Sequence, residues 1–342
     1  MDAQRITIED VAQRAGVTKS TVSNALNERP GVSEATRQRI RHIAAELGWQ
    51  PSSAARSLSM QRSGMIGMVL ARPARMLGVE PFFMEFISGI EDILATRDIG
   101  LVLEVASSFD AETAVYRRWW AGRRVDGVII MDRSFEDPRI DAVRQIGIPA
   151  VFVTNHEEST GLTHVWTDDS QAMTDAVRYL IRLGHRQIAR VAGNPAFRHI
   201  AARDDAMRRL LAEAGLSAPQ IVSTDFSGEL GAAATRALLT GQEPPTAVIY
   251  DNDVMAVAGL GVASELGVAV PEELSLLAWD DSALCEITRP PLSAMHRDVA
   301  AFGSTTAELL LQLIDGEPVD SREGPHAVLT PRGTTARPPS LG

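Results

Sequence analysis

Residues Thr7 to Asn27 read TIEDVAQRAGVTKSTVSNALN, and the spacing within them decides how the chain begins. Ile8, Val11, Ala12 and Ala15 fall at i, i+3, i+4 and i+7, one face of a helix. Gly16 breaks that pattern. Thr18 is placed to cap a second helix, in which Val22, Ala25 and Leu26 turn inward. Two short helices joined by a tight glycine turn make a helix-turn-helix. Such a motif lays its second helix in the major groove of DNA, where the early residues meet base edges. The exposed early residues here are Lys19, Ser20, Ser23 and Asn24, and Lys19 is the only lysine in the chain.

A third helix is expected next. Ser33 caps it, and Glu34 sits in its first turn, where a negative charge suits the helix dipole. Ile40, Ile43, Ala44 and Leu47 form its inner stripe, while Arg37, Arg39 and Arg41 mostly face out. Gly48 ends it, and Pro51 follows three residues on. The resulting core is small, as expected for a unit of this size. Residues 52–63, SSAARSLSMQRS, could form two helical turns, too few to persist alone in water. Leu58 has no evident core to join. It can pack against the same segment of a second subunit, or act as an apolar wedge in the minor groove.

At 342 residues the chain is long enough for two or three domains. The net charge of -11 argues against nucleic acid until it is divided. Residues 1–62 hold nine basic and six acidic side chains, a surplus of three positive charges. The remainder holds 24 basic and 38 acidic residues, a surplus of 14 negative charges. This describes a small DNA-facing head on an acidic body, which DNA would repel outside the head. The sequence has no run of 18 apolar residues and opens without a signal-peptide layout, so a cytoplasmic protein that does not span a membrane is expected. Its one cysteine, Cys285, fits a reducing compartment and reads as a buried structural thiol.

From Met65 onward short apolar runs alternate with helical stretches. The runs are 65–70, 101–106, 125–131, 150–154, 188–193, 221–226, 247–250 and 274–279. Helical candidates include 82–97, 168–183, 201–214, 228–239, 253–266 and 299–314. Repeated strand–helix alternation means parallel sheets covered by helices. More than 270 residues remain, enough for two such sheets facing a cleft at their strand ends. Arg203 opens the helix after 188–193 and offers a flat fork of donors, and Asp280, ending 274–279, can accept from two hydroxyls. Phe226 offers a stacking face at the end of 221–226. Phe82 and Phe83 face in from the first sheet, and Phe197 and His199 lie on the loop before Arg203. Asn252 and Asp253 follow 247–250 at a helix start, where Asp253 can equally serve as a cap.

The stretch Thr7–Asn27 followed by RPGVSEATRQRIRHIAAELGWQPSSAARSL resembles the DNA-binding head and hinge of the lactose-repressor/galactose-repressor (LacI/GalR) family. The match is near-continuous over residues 6–60. By this resemblance Lys19, Ser20 and Asn24 read bases, and Thr7, Thr18, Thr21, Ser23 and Asn27 are phosphate-contact or capping positions. Leu58 matches the hinge leucine inserted at the centre of a pseudo-palindromic operator, so both readings of it hold together in a homodimer. Asn24 departs from the arginine of the lactose repressor. Arginine pairs well with guanine whereas asparagine favours adenine, so the half-site cannot be borrowed.

The body resembles the rest of the same family over roughly 65–332, through EPFFMEFISGIE, TDDSQA, LIRLGHRQIARVAG, DNDVMAVAGL and AWDDSALCEITRPPLSAM in order. The resemblance implies a two-lobed, periplasmic-binding-protein-like α/β body whose chain crosses three times between lobes, near 161–165, 285–292 and 316–323. The expected organisation is a head over 1–50, a hinge over 51–63 and a body over 64–332. Its first lobe takes 64–161 and 293–322, and its second takes 162–290 and 323–332. The stretch 333–342 reads as a polar, unstructured tail without leucine heptads, which favours a dimer over a tetramer. Thr154 replaces an aspartate of the lactose repressor, and the loop ARPARMLGVE over 71–80 is unusually long; both alter the first-lobe wall.

A ligand-controlled transcription factor, expected to repress, follows from this reading. A sugar or sugar derivative is the expected effector, with a purine-like metabolite as the alternative. A transporter's solute-binding protein would fit the body alone but not the head. An enzyme finds little support. Gly259-Leu260-Gly261 lies inside a helical run, lacks a third glycine and reads as close packing. The seven histidines show no metal-ligand spacing, and His185 reads as a turn residue. No cofactor is expected.

Overall fold

Helix α1 (Ile8–Ala15) begins where the Asp10 carboxylate accepts from both the N–H and the hydroxyl of Thr7, each at 2.7 Å. It ends at Gly16, whose φ of 65° is the left-handed conformation that lets the chain reverse into α2 (Lys19–Leu26). Thr18 caps α2 through the Thr21 N–H, and Ser33 caps α3 (Glu34–Glu46) through the Thr36 N–H. Val11, Ala12, Ala15, Val22, Ala25, Ile40 and Ala44 form the common core, flanked by the half-buried Ile43, Leu47 and Trp49. The computed structural model describes residues 6–49, 62–72, 78–155 and 161–339. Leu58 and most of the expected hinge lie outside the described residues, as do 73–77 of the long loop and His156. The chain divides into two compact units, Met1–Gly64 and Met65–Gly342.

The second unit opens with β1 (Met65–Leu70), α4 (Pro81–Ala95), β2 (Gly100–Val105), α5 (Phe109–Ala121) and β3 (Gly127–Ile130). It continues with α6 (Pro138–Ile146), β4 (Ala150–Asn155), β5 (His164–Thr167), α7 (Asp169–Leu183) and β6 (Ile188–Ala192). Next come α8 (Arg198–Glu213), β7 (Ile221–Ser223), α9 (Gly228–Leu239), β8 (Ala247–Tyr250), α10 (Asp253–Leu266) and β9 (Ser275–Trp279). It closes with α11 (Ala283–Ile287), β10 (Ser293–His296), α12 (Val299–Ile314), β11 (Arg322–Glu323) and β12 (Val328–Thr330).

These strands form two six-stranded sheets, ordered β11-β5-β4-β3-β1-β2 and β12-β10-β9-β8-β6-β7. All pairings are parallel except β10 with β12. The central strands are buried on both faces, as parallel strands under helices must be: β3, β6, β8 and β9 are buried throughout, and all are apolar but for Arg190 in β6 and Ser275 in β9. In the first lobe α4 and α12 cross so closely that a Cβ on Gly89 or Gly303 would strike the backbone of the other helix. Gly259 in α10 lies against the Tyr250 ring, consistent with packing.

Three expectations shift. The chain leaves the first sheet only after β5, because 164–167 pairs with β4. It returns after β10, which pairs with β9, and leaves again after β11, which pairs with β5. The crossings therefore fall at Asp168, at Arg297–Asp298 and over 324–327, a few residues beyond those expected. Both β5 and β10 are four-residue strands with polar members, too short to register as apolar runs.

The expected unstructured tail is also corrected, because residues 333–336 are tied to the second sheet. The Leu276 N–H donates to the Thr334 carbonyl, and the Ser293 N–H donates to the Thr334 hydroxyl, both at 2.8 Å. The Ala336 carbonyl meets His185 Nε2 at 2.9 Å. The cause is a gap in the ladder. β10 begins opposite Leu277, so the Leu276 N–H needs another acceptor, which the tail supplies, and the Ser275 hydroxyl accepts from the Ala336 N–H.

Candidate functional site

In the head, α2 presents Lys19 and Ser20 to solvent, with Thr21, Ser23 and Asn24 half-buried. No acidic residue lies in its first turn, so the positive end of the helix is uncompensated. Lys19 pairs with Glu9 of α1 at 2.7 Å, but both side chains are more than half exposed, and such a pair holds loosely. Thr18 bonds the hydroxyls of Ser20 and Thr21 at 2.8 and 2.9 Å, and Asn27 returns its amide to the Ser23 carbonyl at 2.9 Å. Thr7, Thr18 and Asn27 thus have capping roles in the fold.

In the body, the carboxyl ends of strands from both sheets meet in a cleft that opens to solvent, with a cavity volume of about 70 Å³. The lining residues cluster at strand ends: Arg72 and Asp132 two residues after β1 and β3, Thr167 the last residue of β5, and Asp251, Asp280 and Arg297 directly after β8, β9 and β10. Phe82, Phe83, His199, Arg203, Phe226 and Asp280, all expected, line it. Phe197, Asn252 and Asp253 stand behind the lining. Asn252 caps α10 through the Met255 N–H and donates to the Phe226 carbonyl at 3.0 Å, so it fixes that ring from below. Asp253 accepts from Ser282, and burial pushes its carboxyl up to about 6. Phe197 packs on the Phe226 and His199 rings.

Two placements differ from expectation. Arg203 lies in the second turn of α8, which starts at Arg198, rather than opening it. β7 ends at Ser223, and Phe226 sits beyond it in a left-handed turn with φ of 70°. The tip of its ring lies against Gly193, where any Cβ would collide with it. Asp132 and Asp280 are also left-handed, at 53° and 66°. Backbone strain at three lining residues persists only where the surroundings dictate the conformation.

The sequence reading missed Arg72, Glu80, Asp132, Asp169, Asp251 and Arg297. A signal for some of them existed: an aspartate directly follows an apolar run at Met131-Asp132, Tyr250-Asp251 and Trp279-Asp280. The charges interlock. Arg203 donates to Asp169 at 2.7 and 2.9 Å and to Asp251 at 3.1 Å, with its guanidinium 3.9 Å from the Trp279 ring. Asp251 also accepts through both oxygens from Nη2 of the fully buried Arg190, and from the Gly193 N–H. Burial works against its charge, yet Arg190 and Arg203 draw its pKa down to about 2. Burial likewise opposes ionisation of Asp169, but Arg203 and Arg297 hold it below the usual carboxylate range. Burial and then Arg203 lower His199 to about 4, so it is neutral at pH 7.

Asp280 differs: it accepts one long bond, 3.4 Å, from Arg297, and burial pushes it up. Glu80 is pushed up by burial to about 7, with Arg72 in partial opposition. Elsewhere, Cys285 is buried and its thiol is raised, and His185 is held between Thr246 and Ala336. Among the described residues no cluster could hold a metal ion, and no helix is long and apolar enough to cross a membrane.

A capped helix-turn-helix joined in one chain to a two-sheet body with a cleft at its strand ends defines a class of bacterial regulator. Residues 7–52 match the model of bacterial regulatory proteins of the lacI family, and residues 177–335 match a periplasmic binding protein-like domain. The chain is 30% identical over 319 residues to the transcriptional repressor PurR of Vibrio atlanticus, covering 92% of this chain and 94% of that one. It is 31% identical over 320 residues to the regulator CelR of Thermobifida fusca, covering 92% and 93%. A lac repressor dimer bound to operator and an anti-inducer superposes with a TM-score of 0.85 at 25% identity, covering 97% of this chain and 100% of that one. A CelR–cellobiose complex gives 0.72 at 29% identity, covering 96% and 100%. The chain belongs to the LacI family.

Proposed function

We propose that the protein is a sequence-specific transcriptional repressor that binds a pseudo-palindromic operator as a homodimer in the cytoplasm. A small polyhydroxylated effector, a sugar or sugar derivative, occupies the cleft and sets operator affinity. The observation that carries the effector class is the balance of charge in the lining. Five carboxylates (Glu80, Asp132, Asp169, Asp251, Asp280) face three guanidiniums (Arg72, Arg203, Arg297), Arg190 holds Asp251 from behind, and each of these guanidiniums already engages a carboxylate. What remains on offer is acceptor capacity, chiefly at Asp280, which hydroxyl donors satisfy. A phosphate or carboxylate would instead meet carboxylates and no uncommitted guanidinium. The lining residues Thr167, Asp169 and Arg297 lie at two of the crossings between lobes, so a ligand that touches them bears directly on lobe geometry. Effector and operator affinities are then coupled reciprocally.

The PurR relatives and the aromatic lining support a purine-like effector as the second reading. Thermal-shift titration against sugars and nucleobases separates the two. A cleft ligand at 100 times its Kd stabilises by about 2.7 kcal/mol. Stabilisation by nucleobases alone would replace the carbohydrate reading, and neither class stabilising would remove both. On the DNA side, operators selected from a randomised library should change at one half-site position in Asn24→Arg. Identical selected sites would take Asn24 out of the base-reading set.

A further inference from the structure

The face of Phe226 that an effector ring would use is already covered. The Arg72 guanidinium lies 4.3 Å from the centre of that ring, 5.2 Å from Phe83 and 5.7 Å from Phe197. Its Nε and Nη2 form a fork on Asp132 at 2.9 and 3.0 Å, and Nη1 lies 3.5 Å from Glu80. Arg72, Glu80, Phe83 and Asp132 belong to the first lobe, whereas Phe197 and Phe226 belong to the second. The side chain is 9% exposed. Beside it the lobes touch through backbone. The Arg198 N–H donates to the Arg133 carbonyl at 2.9 Å, and Ser134 and Phe197 form an antiparallel bridge.

We propose that Arg72 is a built-in occupant of the cleft. Its guanidinium fills the aromatic cage as a flat ligand would, latches the two lobes together without effector, and admits an effector ring to Phe226 only by being displaced. Arg72 thereby determines which effectors the cleft accepts, and it biases them toward molecules held by Asp280 rather than by stacking. A guanidinium suits this role because it is planar, permanently charged and weakly hydrated, so it can stack and pair at once. The proposal rests on the reading of the cleft as the effector site, but its test uses neither effector nor DNA.

Arg198 is the first residue of α8, so its N–H has no acceptor within the helix, and its protection from exchange reports the cross-lobe bond. In full-length Arg72→Ala that amide should exchange about tenfold faster or more than in the parent protein. Phe226→Leu keeps the Arg72–Asp132 pair and should move the same amide in the same direction, which guards against simple unfolding of the first variant. Methylguanidinium at roughly 10 mM should raise the Tm of Arg72→Ala and restore slow exchange at Arg198, while ammonium at equal concentration does neither. The parent protein should not respond, because its cage is full. Unchanged exchange at Arg198 in both variants would overturn the latch. An equal response of parent and variant to methylguanidinium would overturn the occupancy.

Discussion

The head and the cleft handle charge in opposite ways. In the head, Lys19–Glu9 and Arg41–Glu28 are exposed ion pairs, the first between two helices and the second from a helix to a turn, and each is weak in water. In the cleft, Arg190, Arg203 and Arg72 are buried with Asp251, Asp169 and Asp132, and each carboxylate depends on a residue far away in the chain. On the proposed reading, a surface for DNA holds its cations in loose, exposed pairs, whereas a pocket for a small polyhydroxylated guest ties its cations to its own carboxylates and leaves acceptors for the guest.

The sharpest way to break this contrast is to remove a buried partner. Asp251→Ala strips Arg190 Nη2 of its carboxylate and Arg203 of one bond, and should cost about 3–5 kcal/mol of stability, read from the urea midpoint by tryptophan fluorescence. A loss within the range of an exposed pair would mean that the cleft network is no different from the head's.

A smaller effect comes from pH. Glu80 is raised to about 7 in the fold, so the folded state binds that proton more tightly than the unfolded chain does. Its stabilising contribution is present below the ordinary glutamate range and is lost as pH rises through about 7. Glu112, raised to about 7 by burial against Arg139, and Asp253, raised to about 6, act in the same direction. Glu80→Gln should therefore reduce the fall in stability between about pH 5 and about pH 8 by on the order of 1–3 kcal/mol. An unaltered profile would show that Glu80 titrates normally. The smallest effect is expected in the head. Glu9→Gln should change stability by less than about 0.5 kcal/mol, yet tighten operator binding and steepen its salt dependence as Lys19 is freed. A large destabilisation would make Lys19–Glu9 a structural pair.

How much could be read from the chain follows the same division. The head's helices announce themselves because their determinants are local: Thr18 caps what Thr21 begins, and Gly16 turns where φ must be positive. The long apolar strands were equally visible. β5 and β10 were not, since HVWT and SAMH carry only two or three buried positions each and lie beside the crossings. Six of the nine expected cleft residues line the pocket, while Asn252, Asp253 and Phe197 support it from behind. Arg72 and Arg297 went unread for a physical reason. Their significance arises from partners more than a hundred residues away, Phe226 for one and Thr167 for the other, which only the folded sheets bring within reach.

The central claim is that a guest accepted by Asp280 sets the affinity of the head for DNA. It is tested most directly by titrating full-length protein onto its selected operator, by fluorescence anisotropy, with and without a carbohydrate that stabilises the fold. The parent protein should shift its operator Kd by about 5- to 150-fold on adding that sugar. Asp280→Asn should bind operator as tightly as the parent without sugar and lose most of the shift. An operator affinity indifferent to the sugar in the parent protein, or a shift retained in full by Asp280→Asn, would contradict the account.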